Sequence, residues 1–317
     1  MPHPIPDDAG MRDFIAINDR YFPPDVTDMP MAEQRARYDR YCADLLAPLP
    51  AGVRFEDIGI AAGAPARVLM ARRYRPPLDD NRDVAILYLH GGGFIVGGLD
   101  SHHDICAELC LAAGTELVAL DYRLAPEHVH PAQLDDTLAA YLWLAGQGRA
   151  IVVVGDSAGG NLVAALALRC KSGGLVMPVG QVLVYPGLGG DMTRGSYVEM
   201  GEAPLLTTRD VAFYHAARLG PRGKASVDAA PLAARDFAGL PPAALVSADI
   251  DPLRDDCRDY RDRLAAAGVT AVWRNEPELL HGYLRARRLS TRAEASFHWI
   301  CDMTRRLARR ESIAGCQ

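Results

Sequence analysis

Ser157 is the residue of this sequence best placed for nucleophilic chemistry. It stands in the stretch GDSAGG, after a β-branched run at 151–154 and before a segment that starts at Asn161 and repeats apolar residues with helical spacing. The change from strand to helix falls on Ser157, and the small residues Gly155 and Gly159 leave room for a sharp turn. Such a G-x-S-x-G turn presents a serine oxygen at the carboxyl end of a strand. The alternative interpretation is a glycine-rich turn that cradles a phosphate.

A serine hydroxyl becomes a strong nucleophile only when a base takes its proton and a third group orients that base. In enzymes with this turn, the acid and then the histidine follow the serine along the chain. Asp251 follows the predicted strand at 242–248, and His281 follows the predicted strand at 270–275. Both loops lie at the sheet edge that carries the serine turn. We therefore predict Ser157, Asp251 and His281 as the catalytic residues.

The assignment of the acid leaves alternatives open. Pro252 ends the strand directly after Asp251, which favours Asp251. Most other histidines precede this acid, and His298 falls within a predicted helix, which favours His281 as the base. The loop holds three further acidic candidates: Asp249, Asp255 and Asp256.

A second glycine-rich stretch could stabilise negative charge. His90, Gly91, Gly92 and Gly93, which we call the glycine loop, follow a buried apolar strand. Backbone N–H groups of such a loop, together with the N–H of the residue after the nucleophile, here Ala158, form the oxyanion hole of esterases and lipases. The alternative is a glycine turn needed only for packing, which does not explain why it occurs together with the serine turn.

Apolar strands separated by amphipathic segments predict an α/β fold with a mostly parallel central sheet and helices on both faces. Two helices are predicted within residues 8–47, before the sheet begins. The predicted strands lie at 66–74, 84–89, 116–122, 151–154, 180–186, 242–248 and 270–275. The later predicted helices lie near 103–113, 133–145, from 161 onward, 253–267 and 289–310. Residues 187–235 are less regular, with one short helical stretch at 207–219, and we expect them to cover the sheet edge together with the N-terminal helices.

The composition argues against several partners. The formal net charge of −6, with no long Lys/Arg cluster outside RRLARR at 305–310, argues against nucleic acid and anionic membranes. The N-terminus lacks an apolar signal region, and no apolar run approaches a membrane span of about 18 residues. Seven cysteines without C-x-x-C spacing favour reduced thiols. We therefore expect a cytoplasmic protein.

Several imidazoles and a carboxylate are neighbours in the sequence: His102, His103, Asp104, His128 and His130. They could be interpreted as a metal cluster. Adjacent residues on a helix point in different directions, however, and the spacing matches no zinc motif. We expect no metal site.

Five motifs in order carry a family resemblance: HGGGF (90–94), DYRLAPEH (121–128), GDSAGGN (155–161), DPLRD (251–255) and HGY (281–283). Together they resemble the bacterial hormone-sensitive-lipase-like carboxylesterases of the α/β-hydrolase superfamily, over roughly residues 66 to 310. The resemblance implies an α/β-hydrolase fold with a helical cap. It also implies Ser157 as nucleophile, His281 as base and Asp251 as orienting acid, with the glycine loop and Ala158 as oxyanion hole.

The resemblance further divides the chain. It implies N-terminal cap helices at 1–50, a hydrolase core at 51–186 and 236–317, and a cap insertion at 187–235. It places DYRLAPEH in a buried polar network, where we expect Arg123 to pair with Glu127. The sequence departs from the family pattern at two positions, with Asp249 where glutamate is usual and Tyr283 where phenylalanine is usual. These departures bear on the polarity of the pocket.

The resulting expectation is a serine carboxylesterase that hydrolyses short- to medium-chain acyl esters through an acyl-serine intermediate. Its partner would be a small-molecule ester, with no cofactor and no metal, and a homodimer is plausible by resemblance. One alternative is an amide hydrolase, such as a formamidase or arylamidase, because the same three residues can cleave amides. Another is a non-catalytic ligand receptor on the same scaffold, an interpretation that the presence of His281 disfavours.

Overall fold

The computed structural model describes residues 5–63, 66–78, 81, 83–221, 223 and 226–316. Parts of the two predicted cap segments, at 1–4 and at 222, 224 and 225, therefore lie outside the described residues. The described residues form an eight-stranded sheet with helices on both faces.

The strands are β1 (Arg54–Ala62), β2 (Arg67–Arg75), β3 (Val84–Leu89), β4 (Leu117–Asp121), β5 (Ala150–Asp156), β6 (Gly180–Val184), β7 (Ala243–Ile250) and β8 (Ala271–Leu280). Their order in the sheet is β1-β2-β4-β3-β5-β6-β7-β8. Strand β2 runs antiparallel to β1 and β4, and the pairs from β4 to β8 are parallel. This confirms the predicted mostly parallel sheet, and the carboxyl ends of β3, β5, β7 and β8 share one edge.

Strand β1 was not predicted from the sequence. It pairs with β2 from Arg54 to Ala62 at the edge of the sheet. Seven of its nine positions are exposed or half-buried, so its residues do not form the apolar run of a central strand. Only Ile60 and Ala62 are buried, both on one face near the end of the strand, and two buried positions carry too little hydrophobic periodicity to give a signal.

The helices in the described chain are α1 (Ala9–Tyr21), α2 (Met31–Asp44), α3 (His103–Ala113), α4 (Ala132–Ala145), α5 (Ala158–Ser172), α6 (Ser196–Glu199), α7 (Thr208–Leu219), α8 (Arg254–Ala266) and α9 (Thr291–Ala308). Among the residues that the structure describes, no helix combines the length and apolar character needed to cross a membrane.

Alternate side chains of the central strands separate the core into two layers. On β3, Val84, Ile86 and Tyr88 join the apolar cluster that includes α3 and α9. The residues that alternate with them join the cluster that includes α4, α5 and α8. Side chains that point in turn to opposite faces of a strand produce this division, so nearly every position of a central strand is apolar.

Helices α2 and α7 both pack against the residues that follow the glycine loop. Ile95 and Val96 are buried in a small apolar cluster with Tyr38 of α2 and with Phe213 and Tyr214 of α7. The N-terminal segment and the 187–235 segment thus pack against the same residues at the sheet edge where the predicted site residues lie.

The predicted pair between Arg123 and Glu127 is wrong. Arg123 donates from Nε to Asp136 Oδ2 at 2.8 Å and from Nη2 to Asp136 Oδ1 at 2.8 Å. Arg67 donates to the same carboxylate, with Nη2 at 2.6 Å from Oδ1. The Glu127 carboxylate instead accepts bidentate hydrogen bonds from the guanidinium of Arg35 on α2, at 2.8 and 2.6 Å. The fully buried Asp136 on α4 is a stronger site for an arginine than the exposed Glu127, because burial keeps water from competing.

We predict opposite sensitivities for these two carboxylates. Asp136→Asn leaves two guanidinium groups beside a buried neutral amide and should lower the free energy of unfolding by about 3–5 kcal/mol. Glu127→Gln, the matched control at an exposed pair, should lower it by about 1 kcal/mol or less. Urea unfolding followed by circular dichroism measures both. Equal losses in the two variants would contradict this account.

Candidate active site

The turn at Ser157 is as sharp as the sequence suggests. Ser157 joins β5 to α5 with a φ of 52°, a conformation that is strained for a residue with a side chain. A Cβ at Gly155 would lie 2.5 Å from the Gly159 carbonyl carbon, and one at Gly159 would lie 1.8 Å from Leu89 O. The two glycines are therefore required because the start of α5 packs directly on the end of β3.

Two loops bring a histidine and a carboxylate to this serine. Ser157 Oγ lies 2.9 Å from His281 Nε2, and His281 Nδ1 lies 2.7 Å from Asp251 Oδ2. Asp251 is fully buried and also accepts a hydrogen bond from Leu253 N at 2.8 Å. Asp251 lies 94 positions after Ser157 in the sequence, and His281 lies 30 positions after Asp251. The three residues nevertheless form one hydrogen-bonded row, because the strands that precede them end at the same edge of the sheet.

The other acidic candidates of this region contact different groups. Asp249 accepts a hydrogen bond from Asn275 at 2.8 Å. Asp255 accepts from Ser196 N at 3.1 Å and pairs with Arg258 at 3.2 Å. Of the predicted alternatives, Asp251 is the carboxylate in contact with His281.

Asp256, the remaining candidate, ties the start of the 187–235 segment to α8. It is buried, and its Oδ2 accepts hydrogen bonds from the N–H groups of Leu188 and Gly190 and from Tyr197 Oη. Burial raises the pKa of Asp256 to about 7, although these hydrogen bonds act in the opposite direction; the Asp259 charge adds to the increase. The carboxyl is therefore expected to release its proton near neutral pH.

The glycine loop and Ala158 carry the predicted oxyanion donors. Gly91 N–H donates to Asp156 Oδ1 at 3.0 Å, so this donor already has a partner. Within the described chain, the N–H groups of Gly92, Gly93 and Ala158 form no hydrogen bond. Gly92 and Gly93 have φ values of 124° and 58°, and a Cβ at Gly92 would lie 2.2 Å from Val96 O. Glycine is needed at these positions because a side chain would force the loop to move.

A buried polar cluster lies directly beneath this arrangement. Asp156 Oδ1 accepts from Tyr88 Oη at 2.8 Å as well as from the glycine loop, and Asp156 Oδ2 lies 3.3 Å from His102 Nε2. Burial by itself raises the pKa of Asp156. The contacts with the His102 imidazole and the Tyr88 hydroxyl outweigh burial, so the pKa of Asp156 is lowered to about 2. Burial lowers the pKa of His102. Asp156 thus connects the end of β5 to the glycine loop, a role that sequence reasoning did not assign.

The predicted metal alternative is not supported by the positions of its residues. His102 contacts Asp156, His103 lies 2.7 Å from Tyr74 Oη, and Asp104 pairs with Arg287 at 2.5 Å. In the residues that the structure describes, no group of three or more His, Cys, Asp or Glu side chains is arranged to hold a metal ion.

The two departures from the family pattern have separate surroundings. Tyr283 packs edge-on against Tyr185, whose ring centroid lies 4.8 Å from that of His281. The Tyr283 hydroxyl lies 2.7 Å from Ser296 Oγ, so the extra oxygen faces α9 and has a buried partner. Asp249 bonds to Asn275. The Tyr283 hydroxyl and the Asp249 carboxylate thus have hydrogen-bond partners other than His281 and Asp251.

A cavity of about 970 Å³ opens at Ser157. Its volume lies at the upper end of the range of small-molecule sites. The lining comes from the N-terminal segment, the glycine loop, the Ser157 turn, the 187–235 segment and the His281 loop, and includes Phe22, Tyr38, Phe94, Tyr214, Arg218 and Arg285. Nothing in the sequence indicated Tyr38, Arg218 or Arg285, because each is a single residue in an otherwise ordinary helical or turn segment.

Comparison with known proteins agrees with this geometry. A family model described as an alpha/beta hydrolase fold matches residues 86–285. The esterase LipI of Mycobacterium tuberculosis is 39% identical over 238 residues, which cover 72% of this chain and 74% of LipI. The chain belongs to the α/β hydrolases. This confirms the predicted fold family.

Two further relatives indicate which group of α/β hydrolases the chain resembles. The ethyl acetate hydrolase of Pseudomonas putida is 36% identical over 228 residues, covering 68% of this hydrolase and 72% of that enzyme. An esterase structure from the bacterial hormone-sensitive lipase family superimposes with a TM-score of 0.84 at 28% identity, covering 94% of this hydrolase and 98% of that chain. The predicted resemblance is thereby confirmed, and the hydrolase is a serine carboxylesterase. The amide-hydrolase and receptor alternatives are not favoured.

We predict that Asp256 makes the stability of this carboxylesterase depend on pH. A carboxyl whose pKa is higher in the folded than in the unfolded chain stabilises the fold below its unfolded pKa, and this stabilisation is lost as pH rises toward 7. The Asp256→Asn protein should therefore lose less unfolding free energy than the wild type between about pH 5 and about pH 8, by about 2–3 kcal/mol.

Urea unfolding at the two pH values measures this difference. Asp262→Asn, at an exposed position of the same helix, serves as the control and should follow the wild type. Parallel pH profiles for the wild type and Asp256→Asn would show that Asp256 ionises as it does in the unfolded chain.

Proposed function

We propose that this carboxylesterase hydrolyses small acyl esters through Ser157, His281 and Asp251. The observation that carries the proposal is the hydrogen-bonded row from Ser157 Oγ through the imidazole to Asp251, with distances of 2.9 and 2.7 Å. Distances of this size are within reach of direct proton transfer.

In the first half of the reaction, Ser157 Oγ attacks the ester carbonyl carbon while His281 Nε2 takes the serine proton. Asp251 stays ionised, keeps the proton of the imidazole on Nδ1 and stabilises the imidazolium that forms. The carbonyl oxygen becomes an oxyanion, for which we assign the Gly92, Gly93 and Ala158 N–H groups as donors, since Gly91 N–H is engaged by Asp156. His281 then protonates the leaving alkoxide, and the acyl group remains on Ser157.

In the second half, a water molecule enters and His281 takes one of its protons. The resulting hydroxide attacks the acyl carbon, the same donors stabilise the second oxyanion, and the proton returns to Ser157 as the acid leaves. The chain's own groups supply every step, so the proposal includes no cofactor and no metal.

We further propose that segments 1–50 and 187–235 form a cap over the acyl pocket, and that 51–186 and 236–317 form the core. Cavity-lining residues from both cap segments support this division: Phe22 and Tyr38 come from the first, and Tyr214 and Arg218 from the second. The wall is largely aromatic and aliphatic, which suits an acyl chain of short to medium length. The homodimer and the cytoplasmic location stay predictions.

We predict that Ser157→Ala abolishes ester turnover without unfolding the protein. Loss of the nucleophile in a serine hydrolase costs on the order of a million-fold in kcat. The change removes one oxygen and keeps a Cβ, so the melting temperature should stay near that of the wild type. Release of p-nitrophenol from p-nitrophenyl butyrate and a thermal melt measure the two effects.

His281→Ala should behave in the same way, because the base and the nucleophile act as a unit. Ser172→Ala, at an exposed serine of the same helix α5, is the matched control and should retain full activity. Turnover by Ser157→Ala at a rate close to that of the wild type would refute the assignment.

We predict that kcat/KM for p-nitrophenyl esters peaks at short to medium acyl chains and falls steeply toward palmitate, because the cavity is bounded by the cap. A series from acetate to palmitate measures the profile. A maximum at palmitate would contradict the proposed acyl pocket while leaving the assignment of Ser157 intact.

A further inference from the structure

Helix α7 presses one face against the glycine loop. Tyr214 and Arg218 are four residues apart and therefore lie on the same side of the helix. A Cβ at Gly93 would lie 2.5 Å from Tyr214 Cδ1, so the tyrosine ring rests on the backbone of the loop. The guanidinium carbon of Arg218 lies 3.8 Å from the ring centroid of Phe94, the residue after Gly93. The helix thus contacts the loop at two successive residues.

The same guanidinium reaches the helix that carries the nucleophile. Arg218 Nη1 donates to Asn161 Oδ1 at 2.9 Å and to Ala229 O at 3.2 Å. Asn161 lies one turn after Ser157, and its N–H donates to Ser157 O at 3.1 Å. Arg218 is therefore linked to the nucleophile turn through a single residue.

Arg218 is a buried cation whose partners are neutral. Its exposed fraction is 1%, and among the described residues no carboxylate oxygen lies within 4.0 Å of its guanidinium. The neighbouring Asp228 carboxylate pairs with Arg169 instead. Burial lowers the pKa of Arg218 to about 9, which leaves it a cation at neutral pH. Carbonyl and amide oxygens and the face of the Phe94 ring take the place of a counter-ion.

An arginine in this setting is a costly way to join two elements. Removing a guanidinium from water without an ion pair costs free energy that apolar side chains would not cost. What the guanidinium provides, and an apolar side chain does not, is direction: its planar N–H groups hold the Asn161 side chain while its face holds the Phe94 ring.

We propose that Arg218 is a positioning residue that joins the cap to both halves of the oxyanion hole. Through Phe94 it holds the glycine loop, and through Asn161 it holds the helix that begins with Ala158. The inference rests on the proposed function, because it concerns the donors assigned there. The position of helix α7 and the alignment of the oxyanion donors then depend on each other.

In the proposed mechanism, the alignment of the oxyanion donors affects the rate of the chemical step more than the binding of the ester. Oxyanion donors act at about 2.7–3.1 Å from the developing charge, and a misplacement of about 1 Å can cost about 100-fold. The ground-state ester would be held mainly by the aromatic and aliphatic side chains of the cavity wall, whereas Arg218, although it borders the cavity, is only 1% exposed. A change at Arg218 should therefore lower kcat and leave KM nearly unchanged.

The test compares Arg218→Met, which keeps the length of the side chain but removes its charge and donors, with Arg218→Lys. Arg235→Met removes an exposed arginine from the same 187–235 segment and is the matched control. Steady-state hydrolysis of p-nitrophenyl butyrate gives kcat and KM, with active sites counted from the burst of p-nitrophenol. Inhibition by an alkyl trifluoromethyl ketone, which forms a tetrahedral adduct with serine, reports on the oxyanion hole itself.

We expect Arg218→Met to lower kcat per active site by 10- to 100-fold at a KM within about threefold of the wild type. Affinity for the trifluoromethyl ketone should fall in proportion to kcat/KM. Arg218→Lys should recover part of both losses, and Arg235→Met should match the wild type.

The proposal is overturned if Arg218→Met keeps the wild-type kcat per active site, or if it raises KM alone and binds the ketone as well as the wild type does. If Arg218→Met does not fold, Phe94→Leu carries the test from the loop side: it removes the ring that Arg218 holds and should lower kcat and ketone affinity together. Unchanged values in Phe94→Leu would then overturn the proposal. An inactive wild type would refute the proposed function rather than this inference.

Discussion

The close approach of α5 to the end of β3 is the constraint on which the rest of the site depends. A Cβ at Gly159 would lie 1.8 Å from Leu89 O, so the helix can start where it does only because that residue is glycine. This contact forces the left-handed backbone of Ser157 and raises its hydroxyl above the sheet edge. The same contact sets the glycine loop, which follows Leu89, beside the nucleophile. One packing contact therefore places both the proposed nucleophile and the proposed oxyanion donors.

A buried polar layer secures that contact from below. Asp156 precedes the nucleophile in sequence and accepts the Gly91 N–H, so its carboxylate connects the two strand ends that the active site spans. Tyr88 and His102 complete its shell. A buried carboxylate with several donors is energetically stable only in one arrangement, because each lost donor leaves charge without compensation. The layer therefore gives the loop a defined position as well as stability.

Local pattern predicted the elements but not their long-range polar contacts. The central strands and the flanking helices were foreseen because burial on both faces demands near-continuous apolar runs. Edge strand β1 was missed because it is largely solvated. The predicted partner of Arg123, Glu127, is wrong because only the packing of the fold brings Asp136 of helix α4 to the Arg123 guanidinium. The contacts of Arg218 gave no sequence signal, since a lone arginine on a helix is usually a solvated side chain.

By itself, the sequence determined the chemistry: a serine on a turn that only small neighbours permit, a glycine loop, and an acid and a histidine at the ends of later strands. These features are local, because backbone sterics and strand ends are encoded within a few residues. Only the tertiary structure decided which carboxylate contacts His281, which glycine N–H groups have no partner among the described residues, and which residues of the 187–235 segment contact the glycine loop. Those outcomes depend on distances between segments far apart in the chain, and packing of the whole sheet sets them.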